Sequence, residues 1–200
     1  MKTLMRNVLF MLAVVFFPLF LKAGEAMQQL EKTVTEIMDL LENPVLKGED
    51  KKTERDNKLG DLLESRFNYE EMSRKTLAKE WKNLQEDKQK EFTNVFKELL
   101  KRTYISRIEA YTNEKVTYSK EISLDEGKAV VQTVLVSEKG DIPIDYNMHL
   151  VGEEWKIYDV TIEGVGLLKN YRNQFREIME KGSFDDLMNK LKEKNEKLET

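Results

Sequence analysis

The spacing of apolar positions along the chain changes twice after residue 27, and each change marks a boundary in the expected fold. In 27–42, Leu30, Val34, Ile37, Met38 and Leu41 recur at three- and four-residue steps, the stripe of an amphipathic helix. Asn43-Pro44 closes it, because the residue before a proline avoids the helical region. A lysine- and glutamate-rich stretch over 47–58 reads equally as a loop or a solvated helix start, and Leu59, Leu62, Leu63 and Phe67 then give it an apolar edge. Residues 68–79 make the next short helix, with Asn68 as N-cap and Glu71 as its reciprocal capping partner. Trp81 follows as a packing anchor. A long helix is expected over 87–111, where Phe92, Val95, Phe96, Leu99 and Leu100 form one stripe. At about 100° per residue, Tyr104, Ile108 and Tyr111 fall on a face rotated by roughly a third of a turn from it. That helix presents two apolar faces.

From Val116 the period becomes two. Residues 116–123, 128–138, 141–151 and 154–162 read as four strands joined by short turns at Asp125-Glu126-Gly127, Lys139-Gly140 and Gly152-Glu153, an antiparallel meander. In the third strand Ile142, Ile144, Tyr146, Met148 and Leu150 share a face, opposite Asp145, Asn147 and His149. In the fourth, alternation sets Tyr158, Val160 and Ile162 opposite Trp155 and Ile157. In the second, 129–136 is apolar at odd and even positions alike, so the sheet is expected to be buried on both sides. Glu163-Gly164-Val165-Gly166 then allows a sharp turn into a helix over 167–181, carrying Leu168, Tyr171, Phe175 and Ile178. Gly182 stops it, and Phe184, Leu187, Met188, Leu191 and Leu198 mark a final amphipathic helix. The order implies an α+β fold: N-terminal helices, a four-stranded antiparallel curved sheet, and C-terminal helices wrapping the sheet around an apolar cavity.

The N-terminus adds an address. Lys2 and Arg6 precede an uninterrupted apolar run over 8–21, and Gly24 and Ala26 put small residues three and one positions before a cut. This is the pattern of a secretory signal peptide over 1–26. The run is shorter than the roughly 20 residues of a spanning helix, and Pro18 further weakens it as a permanent anchor. The remaining 27–200 fits a single domain: a helical part over 27–111, a sheet over 115–163 and C-terminal helices over 167–199.

Composition narrows the chemistry. There is no cysteine, so disulfides, thiolate nucleophiles, cysteine metal sites and a lipidated N-terminal cysteine are all excluded. The net charge of −4 argues against a nucleic-acid surface. The single histidine, His149, on the polar side of its strand, undersupplies both a catalytic triad and a multi-histidine metal site. No phosphate-binding glycine loop is present, and the carboxylates alternate with lysines on helix faces as ordinary ion pairs. No residue pattern supports an enzyme, a metal or a cofactor. A stripe such as Tyr104, Ile108 and Tyr111 is by itself ordinary core packing. Its coincidence with a two-faced sheet and a glycine turn leading to Tyr171 and Phe175 points instead to an enclosed apolar pocket.

The stretch from Asp159 through Ile162, Glu163-Gly164-Val165-Gly166, Leu168 and Tyr171 to Phe175, followed by Gly182 and 187–191, resembles the C-terminal signature of the MlaC family. These are periplasmic phospholipid-binding components of the maintenance-of-lipid-asymmetry pathway, also called toluene-tolerance or ABC-transporter auxiliary proteins. Phe67-Asn68-Tyr69, 77–81, 92–100, Tyr104, Tyr111 and Ile142-Pro143-Ile144-Asp145-Tyr146 agree in order and spacing. The chain departs from the family at Leu77-Ala78, where Leu-Gly is frequent, and at Gly164-Val165-Gly166, where Gly-Val-Ser is frequent. The resemblance implies an NTF2-like core and a soluble periplasmic carrier that binds phospholipid tails in an internal pocket. It also implies two partners, an inner-membrane ABC transporter complex and an outer-membrane lipoprotein–porin complex. The expected pocket wall is Phe96, Leu100, Tyr104, Ile108, Val134, Tyr146, Met148, Tyr158, Val160, Ile162, Val165 and Tyr171. Arg107 and Arg172 are candidates for a headgroup rim, although solvent-exposed helix arginines are the commoner case. Two rival readings stand beside the carrier: a periplasmic binding protein for another apolar small molecule, and a ligand-free exported interaction or chaperone protein.

Overall fold

Helices bury one face of an antiparallel sheet, and the sequence spacing explains most of how they do so. The computed structural model describes residues 24–110, 114–125, 127–138 and 140–199; most of the expected leader, and Tyr111, lie outside the described residues. Helix α1, Glu25–Glu42, starts two residues before the expected boundary and buries Ala26, Leu30 and Thr33. Two 3-10 turns, Pro44–Leu46 and Glu49–Lys51, lead into α2, Lys52–Arg66, so the charged stretch resolves into turns and a helix start. Helix α3 is Tyr69–Leu77 and α4 is Glu86–Glu109. The strands are β1 Lys115–Asp125, β2 Lys128–Val136, β3 Ile142–Val151, β4 Glu154–Ile162 and a two-residue β5, Val165–Gly166, in that order across one sheet. Helices α5, Leu167–Lys181, and α6, Phe184–Glu199, complete the chain.

The fifth strand corrects the expected count of four. Glu163 (φ 50°) and Gly164 (φ 79°) both adopt the left-handed conformation, which folds β4 back so that Ile162 pairs with Val165 and Thr161 with Gly166. The expected glycine turn is therefore a tight hairpin. Asp159 steadies its exit by accepting the amide hydrogens of Val160 at 2.9 Å and Leu168 at 3.1 Å.

Register decides which residues face inward. Cross-strand pairs Ala129–Met148, Val131–Tyr146 and Thr133–Ile144 put the buried positions of β2 against the expected apolar face of β3. The opposite side carries Val130, Gln132 and Val134 of β2 beside Asn147, Asp145 and Pro143, and these three β2 residues stay only half-buried. The expectation of a sheet buried on both sides is thus corrected to one face that carries the buried residues. In β4 the pairing slips at a bulge: Asn147 pairs with Asp159, but the next pair is Met148 with Ile157. One extra residue reverses the alternation beyond it, so Trp155, Ile157, Val160 and Ile162 all face the core and Tyr158 does not.

The interior divides in two. The main cluster joins α1, α3, α4, α5 and α6 to the sheet, with Phe92, Phe96, Met72, Val131, Met148, Ile157 and Leu187 among its fully buried members. A smaller cluster forms where Leu59 and Leu63 of α2 meet Ile105 of α4, flanked by Ile37, Leu40, Leu41 and Ile108. Helix α4 does bury two faces, as its two stripes require, but the second is divided: Tyr104 turns to the main cluster, while Ile105 and Ile108 turn to α2.

Asn68 caps α3 as expected, its side chain accepting the Glu71 amide hydrogen at 3.0 Å. The reciprocal bond from Glu71 does not form. The Asn68 N–H is taken by the Ile157 carbonyl at 2.8 Å, and the Glu71 carboxylate turns to Arg74. Phe67 and Asn68 thereby run alongside β4 where β5 does not reach, covering its free edge. Arg66 locks the same corner: its guanidinium donates to Thr33 Oγ1 at 2.8 Å, Gln29 Oε1 at 2.9 Å and the Trp155 carbonyl at 2.7 Å.

Candidate functional site

Packing density varies along the space between sheet and helices. At one end aromatic rings interlock: Phe96 meets Tyr171 at 5.2 Å and Phe175 at 5.4 Å between ring centroids, both edge-on, and Phe92 meets Phe175 at 5.9 Å. These rings come from α4 and α5, whose residues 92, 96 and 171, 175 recur one helical turn apart. Edge-to-face geometry of this kind adds about 0.5–1.5 kcal/mol per pair beyond the area buried. This half is closed.

Towards the start of β3 and the end of β4 the burial falls away. Met148, Ile157 and Val160 are buried, but Ile142, Ile144, Tyr146 and Ile162 on the same face are only half-buried, and Val165 is 63% exposed. Tyr118 from β1, in line with Thr133 and Ile144 across the sheet, and Tyr104 from α4 also pack against the main cluster and are half-buried. Tyr146 lies deep among protein atoms, which pushes its phenol up to about 12, yet it keeps an intermediate exposure. Tyr146 is thus enclosed by protein and still partly accessible. Burial likewise pushes Tyr104 up to about 12 and raises Tyr118. The phenols stay neutral, and each pairs an apolar ring with a hydroxyl able to meet a polar group at a mouth.

The expected wall residues fall into three groups. Phe96, Leu100, Tyr104, Tyr146, Met148, Val160, Ile162 and Tyr171 belong to the main cluster or pack against it, and Val165 pairs with Ile162 at its exposed end. Three others do not face this space. Val134 stands on the outer side of β2 because Thr133 takes the inner one; Ile108 packs against the α2 cluster; and Tyr158 is turned away by the bulge. Tyr118 and Ile144, not among the expected wall residues, also pack against the main cluster. Ile144 was legible from its share of the β3 face, whereas Tyr118 needed the β1–β2 register, which places it opposite Thr133.

The polar residues resolve as well. Tyr158 meets the His149 ring edge-on at 5.4 Å and lies under the Lys75 ammonium at 4.7 Å. The Asn68 oxygen is occupied by the Glu71 amide, so its NH2 group faces His149 Nε2 at 3.0 Å and donates to it. His149 is therefore neutral with its proton on Nδ1, and desolvation by burial lowers its pKa. Arg107 places its guanidinium over the Tyr104 ring at 5.4 Å. Arg172 is engaged elsewhere, donating from Nε and Nη2 to the Lys75 carbonyl at 3.1 and 2.6 Å.

Two surface clefts lie apart from this space. One of about 440 Å³ is lined by Glu36, Asp39, Leu40, Lys58, Asp61, Leu62 and Ser65, and one of about 300 Å³ lies around Phe67, Tyr69, Lys97 and Lys156; neither contains an expected wall residue. Among the described residues no group of His, Cys, Asp and Glu could hold a metal ion, and no helix is long and apolar enough to cross a membrane. What the arrangement offers is apolar surface, part of it accessible, between the sheet and the helices.

Comparison with known proteins agrees with this geometry. The MlaC protein family model matches residues 31–193. The chain is 27% identical over 95 residues to the toluene tolerance protein ttg2D of Pseudomonas putida, covering 47% of this chain and 44% of that protein. It is 24% identical over 131 residues to the intermembrane phospholipid transport system binding protein MlaC of Haemophilus influenzae, covering 63% of this chain and 61% of that one. The matches thus span about half to three-fifths of the length of these relatives. The fold matches that of a phospholipid-binding protein from Ralstonia solanacearum solved with a phospholipid, at a TM-score of 0.78 and 24% identity over 88% of this chain and 99% of that one.

Proposed function

This chain belongs to the MlaC family, and from that premise we propose that it is an exported, periplasmic carrier that holds phospholipid acyl chains between the inner face of its sheet and helices α4 and α5. The observation that carries the reading is the half-closed apolar end formed by Tyr104, Tyr118, Ile144, Tyr146 and Ile162. Hydrocarbon completes the interior there, with the headgroup at the mouth near Val165 and Arg107. Sheltering roughly 30 methylenes at about 0.8 kcal/mol each gives a gross term of about 25 kcal/mol, set against lost lipid freedom and the competing bilayer. A guest held so strongly out of water is handed over by direct docking. The partners are an inner-membrane ABC transporter complex and an outer-membrane lipoprotein–porin complex, so the carrier needs no nucleotide site or catalytic group of its own.

The test is native mass spectrometry of the protein purified folded from the cell envelope. Wild type should carry phospholipid mass, and Ile162→Glu, which sets a carboxylate on the half-buried inner face, should reduce the bound fraction at least severalfold while the protein still accumulates. Bare wild-type protein, or an Ile162→Glu variant with undiminished lipid, would overturn the reading. Bound mass of a different apolar compound would replace it with the small-molecule alternative.

A further inference from the structure

The leader read from the sequence must be cut somewhere, and the first turn of α1 shows which cut the fold accommodates. The Gly24 N–H donates to Glu121 Oε1 at 2.9 Å and the Met27 N–H to Oε2 at 2.7 Å. Glu121 sits on the inner side of β1, opposite Val131, nearly a hundred residues away in sequence. It does for α1 what an N-cap side chain ordinarily does, since the capping position is Gly24 and has none. Glu25 lies in the first turn, where a negative charge complements the helix dipole. Ala26 is 0% exposed within the main core, and the Gly24 carbonyl accepts the Gln28 N–H at 2.9 Å.

A cut after Ala26, where the small residues at 24 and 26 direct it on sequence alone, would delete Ala26 from the core along with Glu25 and the Gly24 contacts. A cut after Ala23 deletes none of them. Ala23 supplies the small residue immediately before that bond, and Leu21 an uncharged one two positions earlier, although larger than the usual alanine.

Resting on the export reading of the leader, we propose that it is removed by hydrolysis of the Ala23–Gly24 amide, leaving Gly24 as the first residue with its ammonium bound to Glu121. A leader peptidase supplies the catalysis and water the atoms: its hydroxyl joins the Ala23 carbonyl, which departs as a carboxylate, and the protons convert the Gly24 nitrogen to an ammonium. A neutral N–H···O contact becomes a charge-assisted one. The other Glu121 oxygen keeps the Met27 N–H, so one carboxylate ties the new terminus and the first helical turn to β1.

Intact mass and N-terminal sequencing of the protein exported to the envelope should give a chain starting at Gly24. A start at Met27 overturns the proposal and leaves the leader reading standing; an uncut chain removes both. Neither result bears on the lipid reading, which bound mass decides. The charge pair is tested by a cycle of four proteins: the exported chain and a leaderless chain carrying Met-Ser ahead of Gly24, each with and without Glu121→Gln. The substitution should lower the folding equilibrium constant about two- to fivefold more in the exported chain than in the extended one. An equal effect in both would refute the pair. Should Glu121→Gln fail to accumulate, acetylating the terminal amine of the exported wild type should lower its folding constant by the same factor, and no change would refute the pair equally.

Discussion

At the scale of single residues, the side chains that sequence reasoning valued most have unequal weight. Phe96 is 0% exposed and touches three other rings, so Phe96→Ala should destabilise the fold by about 3–5 kcal/mol. The drop is measurable as a lowered urea midpoint. Tyr146 and Ile162, half-buried on the same interior, should tolerate substitution better and show their effect in lipid content. His149 illustrates a polar residue whose role is local: it accepts a hydrogen bond from Asn68 and is kept neutral by desolvation. Because its folded pKa lies below its ordinary value near 6.5, its contribution is fully present above that pH and declines as pH falls through the folded value. As the chain holds one histidine, an imidazole NMR titration reports it cleanly and should give a midpoint below that of a free histidine.

At the scale of elements, one guanidinium joins α1, α2 and β4 in addition to their apolar contacts. Arg66 serves three acceptors on two other elements, and Gln29 returns a bond by accepting the Trp155 N–H at 2.9 Å. Arg66→Ala strands these partners in a partly buried corner and should cost about 2–3 kcal/mol, with Arg66→Lys recovering little of it because an ammonium lacks the planar fork. Thermal unfolding of both variants would check this. The bulge in β4 acts at the same scale. Without it strict alternation would put Tyr158, Val160 and Ile162 together on the face opposite Trp155 and Ile157, and the interior could not hold both sets.

At the scale of the whole molecule, carboxylates paired within α3 and between α2 and α4 couple stability to pH. Burial alone would raise Glu71 and Glu109, but hydrogen bonds from Arg74 to the first, and from Arg55 and Lys52 to the second, outweigh it and hold both below the usual range. Lys97 does the same for Glu64. Groups whose folded pKa is depressed contribute fully above about pH 4.5 and lose that contribution as pH falls through the folded values. The melting temperature should therefore hold near neutrality and fall steeply on acidification below about pH 4.5, as calorimetry at stepped pH would record. The pairs between α2 and α4 fix part of the helical frame, while one end of the interior stays half-buried.

The amino-acid order by itself determined where helices and strands lie and which side of β3 is apolar, because a period of 3.6 or 2 is a property of local sequence. The aromatic steps of α4 and α5 were legible for the same reason, and so was Asn68 as a cap. Only the tertiary structure decided which apolar residues share the interior. Strand alternation fixes parity but not register, so Val134 read as inward until its pairing with Pro143 set it outside, and a single inserted residue sent Tyr158 away from Val160. Ile108 carries the spacing of Tyr104 but meets α2, since a helix with two apolar faces does not say what covers each. Arg66 and Glu121 gave no local signal at all. Their partners lie far along the chain, and only the folded chain brings them within hydrogen-bonding distance.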